Sequence, residues 1–103
     1  MVTAVAPGDY GKPRPAIVIQ SDSVPGTESV LVCLVTSTLR DAPAFRLDVP
    51  AGGGTGLRLN SQVQVDKIMA LPKERIGGVI GRLPDETLAE LNRRLALMIG
   101  LGD

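Results

Sequence analysis

The sequence predicts a mainly β fold, a β-rich α+β domain in which short antiparallel strands curve into a small barrel and one helix ends the chain. Apolar residues between Val2 and Leu83 either alternate or run in short blocks, separated by turns that carry Gly and Pro. Only after Pro84 does the apolar period lengthen to three and four residues. No alternation of strands with helices intervenes, so a parallel sheet built on crossovers is not expected.

Taken in order, Val2 to Ala6 reads as a first strand at an edge of the sheet. Pro7 to Pro13 is a loop, and Ala16 to Gln20 is the second strand. Ser21 to Ser29, with Pro25-Gly26, is a polar connection. Ser29 to Thr36 is apolar apart from its ends, the pattern of a strand covered on both faces. Phe45, Leu47 and Val49 alternate with Arg46 and Asp48, which predicts a half-exposed strand with both charged residues outward. Ala51 to Gly56 reads as a flexible glycine turn. It has no Gly-Lys-Ser/Thr ending and no helix after it, so it is not a phosphate loop. Leu57 to Asp66 alternates with Leu57, Leu59, Ser61, Val63 and Val65 on one face, and Ile68 to Leu71 prolongs it into the polar turn at 72–75. Ile76 to Leu83 is a short strand whose Gly77, Gly78 and Gly81 mark a bend where backbones come close. Leu88, Leu91, Leu95, Met98 and Ile99 then form one stripe of a helix of about four turns. Pro84, Asp85 and Glu86 suit its start, Gly100 its end, and Glu90 and Arg94 an ion pair on its outer face. The stripe is expected to cover the open end of the barrel.

A chain of 103 residues supports one domain over its whole length, 1–103, with a single modest core. Eleven basic and eleven acidic side chains cancel, so overall charge gives no argument for nucleic-acid binding, although a local basic patch is compatible with it. Tyr10 and Phe45 are the only aromatics, which leaves a core of Val, Ile, Leu and Ala. The single cysteine, Cys33, lies in the apolar run 30–35 and reads as a core residue. The absence of histidine excludes His-based metal sites and His acid–base catalysis. No apolar stretch is long enough to span a membrane and no signal peptide is evident, so the chain reads as cytoplasmic.

The chemistry concentrates in Gly8-Asp9-Tyr10-Gly11-Lys12-Pro13-Arg14-Pro15. Pro15 biases Arg14 towards an extended backbone, so a guanidinium is delivered in a restricted geometry to the start of a buried strand. Such a group suits a planar anion. Thr36-Ser37-Thr38 places three hydroxyls where another buried strand ends. From residue types alone, the favoured readings are a surface arginine for Arg14 and caps of strand-end backbone groups for the hydroxyls.

Gly8 to Asp22 resembles the Arg-Pro signature loop of the MazF/PemK toxins. The strand ending in Val35-Thr36-Ser37 is similar too, as are the segments Gly56 to Ile68, Pro72 to Ile76, and Ile80 to Leu83. The ordered set covers nearly the whole chain. The resemblance implies a CcdB/PemK-like toxin fold, an SH3-like antiparallel barrel with a C-terminal helix. It implies the toxin of a type II toxin–antitoxin pair, a metal-independent endoribonuclease (mRNA interferase) that cuts single-stranded RNA within a short sequence and needs no cofactor. Implied partners are a second copy of the chain in a homodimer and a cognate MazE-like antitoxin, with DNA reached only through the antitoxin complex. Arg14 and Thr36 match the family's catalytic Arg and Thr. Tyr10, Lys12, Ser37 and Arg40 are the expected RNA contacts, the cations through phosphates and the ring by stacking. One departure is that Met1-Val2-Thr3 begins inside the first strand, whereas family members usually start with a basic residue, Gly and Asp before it. Two alternatives remain. A CcdB-like gyrase poison would be associated with a Trp-bearing tail, and this chain has no Trp. The other is a catalytically inert barrel-shaped interaction module.

Overall fold

In the computed structural model, which describes residues 1–8 and 11–101, six strands form one antiparallel sheet. They are β1 (Val2–Ala4), β2 (Arg14–Val18), β3 (Ser29–Thr36), β4 (Arg46–Val49), β5 (Ser61–Pro72) and β6 (Ile76–Val79). A 3-10 turn at Lys73–Arg75 joins β5 to β6, and the helix α1 spans Asp85–Met98. The strands lie in the order β4-β5-β3-β2-β1-β6. The strand-rich architecture and the single terminal helix are those the sequence predicts. The outermost strands, β4 and β6, do not pair, so the sheet curves without closing on itself.

Curvature is concentrated where β3 crosses β5. Cys33 pairs with Ile68 and Val35 with Val63, so residues 64–67 of β5 stand opposite Leu34 alone. Extra residues on one strand bend it and increase its twist. The bend lets successive residues feed two cores. Ile17, Cys33, Val35, Leu47, Val49, Val63, Val65 and Leu91 form the larger cluster, which α1 covers. Val2, Ala4, Ala16, Val32 and Leu71 form a smaller one. Neighbours on β2 and β3 go to different clusters, as the period of two requires. Cys33 is fully buried, as expected. Burial, reinforced by the charge of Asp66, raises its thiol to about 11.

Several expectations change. β1 is not an edge strand: it lies between β2 and β6, with Ala4 opposite both Arg14 and Ile76. β3 is not covered throughout, since Leu31 is exposed near its start. Leu57 is buried but outside any strand, Leu59 is exposed, and β5 begins only at Ser61. β6 stops at Val79, before Leu83. Arg46 does not point to water; only 7% of it is exposed.

The glycine turn is held rather than loose. Thr55 is buried, its hydroxyl donates to Gly52 O (2.8 Å) and accepts from Leu57 N (3.2 Å). Gly54 O accepts from Arg82 N at 3.0 Å. Gly56 has φ +78°, and a Cβ there would collide with the Ile80 carbonyl, so only glycine fits. Along α1, Leu91 is fully buried and Leu95 packs beside it, whereas Leu88, Met98 and Ile99 are exposed. The stripe therefore covers the core with its middle only. No helix among the described residues is long and apolar enough to cross a membrane.

Candidate functional site

β2 and β3 run antiparallel with Ala16 opposite Leu34. Arg14 lies two residues before Ala16, where β2 pairs with β1 through Ala4, and Thr36 lies two residues beyond Leu34, at the end of β3. Thr36 in turn pairs with Gln62 on β5, and Gln62 with Asp48 on β4. One row across the curved sheet thus reads Thr36, Gln62, Asp48. Residues distant in sequence meet here because both β2 and β5 flank β3.

Arg14 and Thr36 open onto the same cavity, of about 510 Å³. Ser37 and Thr38 contribute at the end of β3, Gln64 from β5, and Arg58 from the loop that Thr55 and Gly56 shape. Leu34, Leu57 and Ile80 supply apolar wall. In a chain whose charges balance, the described residues of this lining include two arginines and no carboxylate. The Thr36 hydroxyl oxygen accepts a hydrogen bond from Thr38 N at 3.1 Å. That leaves its proton available to an acceptor in the cavity. An anion with several oxygens suits this lining: guanidinium forks and hydroxyl donors surround it, with an apolar wall to one side. Among the described residues no group of three His, Cys, Asp or Glu is placed to hold a metal ion.

The other expected RNA contacts distribute unevenly. Ser37 joins the cavity. Lys12 is exposed and does not line it. Arg40 lies instead along a smaller hollow of about 190 Å³ with Arg46, Asp48, Gln62 and Arg94. Tyr10 lies outside the described residues. Arg58 and Gln64 were missed. Gln64 carried a signal, since it shares the outward side of the alternation with Gln62. Arg58 carried none, because a loop residue has no period to place it.

The smaller hollow is internally bonded. The β3–β4 connection must cross β5, which lies between its two strands, and it passes over Gln62. Arg40 N donates to Gln62 Oε1 (3.0 Å), and Gln62 Nε2 donates to Arg40 O (3.0 Å) and to Asp48 Oδ1 (2.8 Å). Arg46 Nη1 donates to Thr38 O (2.9 Å) and Gln62 Oε1 (3.2 Å). From α1, Arg94 Nη1 reaches Pro43 O (2.6 Å) and Arg46 O (3.0 Å) while its Nε donates to Glu90 (2.8 Å). Hydrogen bonds from Arg93, and then Arg94, lower the Glu90 carboxyl to about 2.

Comparison with known proteins agrees with this architecture. The model of the family described as PemK-like, MazF-like toxin of type II toxin-antitoxin system matches residues 2–99. A protein of Mycolicibacterium smegmatis named probable endoribonuclease MazF is 35% identical over 100 residues, 96% of this chain and 92% of that protein. The solved Mycobacterium tuberculosis toxin MazF-mt6 superposes with a TM-score of 0.78 at 26% identity, covering 98% of both chains. A mycobacterial endoribonuclease solved in complex with its cognate antitoxin gives a TM-score of 0.77 at 25% identity, over 97% of this chain and 91% of that one. With a match from end to end of the sheet and helix, the chain belongs to the PemK-like, MazF-like toxins of type II toxin–antitoxin systems.

Proposed function

We propose that this chain is a metal-independent endoribonuclease that cuts single-stranded RNA at the cavity between Arg14 and Thr36. The observation that carries the reading is that these two residues, distant in sequence, lie on adjacent strands and line one anion-compatible cavity. The MazF relative is named an endoribonuclease, which supports the same activity.

RNA supplies its own nucleophile. The ribose 2′-oxygen attacks the adjacent phosphorus, forming a 2′-O–P bond as the P–O5′ bond breaks. The products are a cyclic phosphate and a 5′-hydroxyl. The 2′-hydroxyl loses its proton and the departing O5′ gains one, so net proton count is unchanged. Arg14 braces the non-bridging oxygens, where negative charge grows, and donates towards the leaving oxygen. Its guanidinium stays protonated at neutral pH and is no general base. Thr36 donates its hydroxyl proton to a phosphorane oxygen or orients the attacking group. Ser37 and Arg58 hold the substrate backbone beside them, with Lys12, Arg40 and Tyr10 as outer RNA contacts.

The toxin acts in the cytoplasm, where its substrate is, as a homodimer restrained by a MazE-like antitoxin, through which alone it would meet DNA. The mycobacterial relative solved with its cognate antitoxin supports that partner. The test is incubation of the purified protein with a mixed single-stranded RNA pool in EDTA, followed by end mapping, alongside Arg14→Ala and Thr36→Ala. Cuts within one short sequence, bearing 5′-hydroxyl ends and slowed at least about a hundredfold in both variants, are expected. Intact RNA, or cuts undiminished in either variant, would overturn the assignment.

A further inference from the structure

The geometry points to Arg46 and Gln62 as positioning residues for the Thr36 hydroxyl, acting from the covered side of the β3–β4 connection. The inference rests on the ribonuclease reading above and adds residues that do not face the cavity.

Two bonds join the buried guanidinium to the proposed catalytic hydroxyl through one residue. Arg46 Nη1 donates to Thr38 O, and Thr38 N donates to Thr36 Oγ1. Thr38 O lies on the peptide after Thr38 Cα and Thr38 N–H on the peptide before it, so holding the carbonyl restricts rotation about that Cα and with it the direction from which the N–H meets Thr36 Oγ1. A staggered side chain with one lone pair engaged has its hydroxyl restricted in direction. Gln62 completes the latch. Its amide bonds both the N–H and the C=O of Arg40, replacing a backbone partner for a segment that has left the sheet. Its oxygen also accepts from Arg46, and its nitrogen donates to Asp48. Arg46 and Gln62 are both buried, at 7% and 6% exposure, and these bonds engage their polar atoms with protein groups. Polar groups buried this way, mutually bonded, fix one arrangement because any other leaves them without partners.

The experiment uses the full chain and a short RNA containing its mapped cut site. Arg46→Lys and Gln62→Leu are expected to lower the single-turnover cleavage rate about tenfold to a hundredfold, with less than about a twofold change in affinity for the same oligonucleotide carrying a 2′-deoxyribose at the cut, because misplacement rather than lost contact is the defect. In a Thr36→Ala background, adding Arg46→Lys is expected to cost nothing more, since the group being positioned is gone. An equal loss with and without the Thr36 hydroxyl would show a merely structural role and overturn the inference. Unchanged rates in both single variants would overturn it as well. If a variant does not fold, Asp48→Ala replaces it; this removes only one of the two acceptors of Gln62 Nε2, from an exposed position, and is expected to act in the same direction. Amide exchange gives a readout independent of RNA. Thr38 N–H is expected to exchange about tenfold faster in Arg46→Lys, as local opening of its bond becomes easier. Unaltered Thr38 exchange would refute the latch even if the parent protein cut no RNA, an outcome that would separately refute the ribonuclease reading.

Discussion

Two hollows lie on the same side of the sheet, and each is built around an arginine. Arg14, at the start of β2, is exposed beside a cavity of about 510 Å³; Arg46, at the start of β4, is 7% exposed beside one of about 190 Å³. Around Arg46, carbonyl and amide oxygens of the protein accept its hydrogens, and Gln62, Asp48 and the Arg40 backbone complete a closed set of bonds. Among the described residues, hydroxyls, a second arginine and apolar wall line the cavity that Arg14 borders. The same residue type therefore serves two ends. A guanidinium under a crossing loop organises backbone, whereas one at the rim of a cavity lined by donors is placed to meet an anion. The difference comes from what lies above the sheet, not from the strands themselves.

The sharpest way to break this comparison is to truncate each arginine. Arg14→Ala and Thr36→Ala should lower cleavage at least about a hundred- to a thousandfold, as removal of a donor to developing transition-state charge does. Their unfolding free energies should stay within about 1 kcal/mol of the parent, as for other exposed substitutions. Arg46→Ala should do the reverse in stability, costing about 1–3 kcal/mol in denaturant melts, because the Thr38 carbonyl and Gln62 oxygen lose a buried donor. Equal stability losses for Arg14→Ala and Arg46→Ala would erase the distinction. Arg58→Ala sharpens it next. If Arg58 pairs with an RNA phosphate, affinity falls and the log–log dependence of binding on salt becomes shallower by about 0.7, the contribution of one phosphate on a single strand. An unchanged slope would remove Arg58 from the cavity's RNA contacts.

The smallest effect belongs to the helix strut beside the smaller hollow. Glu90 titrates at about 2 against an ordinary value of 4.5. Because its folded value is the lower one, the ion pairs with Arg93 and Arg94 stabilise the fold fully above pH 4.5, and that contribution disappears as pH falls from 4.5 towards about 2. The site is open to solvent, so the effect is modest. Melting midpoints of the parent and Glu90→Gln should differ slightly at neutral pH and converge in acid. A gap that persists at the lowest pH would assign the helix anchoring to Arg94 alone, through its bonds to Pro43 O and Arg46 O.

Local pattern made much of this legible. The change of period at Pro84 gave the helix, the apolar run 30–35 gave β3 and the buried Cys33, and Arg14 and Thr36 were found at strand ends without sight of the sheet. Local pattern also misled where strand order mattered. Alternation across Phe45 to Val49 sent Arg46 to water, yet the β3–β4 connection crosses β5 and covers it. Val2 to Ala6 read as an edge because it begins the chain, yet β6 returns to pair with β1. Arg40, expected as an RNA contact, lines the smaller hollow rather than the cavity of Arg14, because the crossing loop carries it there.

By itself the sequence determined which segments are strands or helix, which residues can fill a core, and which side chains have the chemistry to meet a phosphodiester. These depend on period, turn residues and side-chain type, all of which act over a few neighbours. Tertiary structure alone decided that Arg14 and Thr36 line one cavity, that Arg58 reaches it, and that Arg46 and Gln62 are buried together. Those facts follow from the order in which strands pair and the face over which a connection passes, and both are set by contacts between residues far apart along the chain.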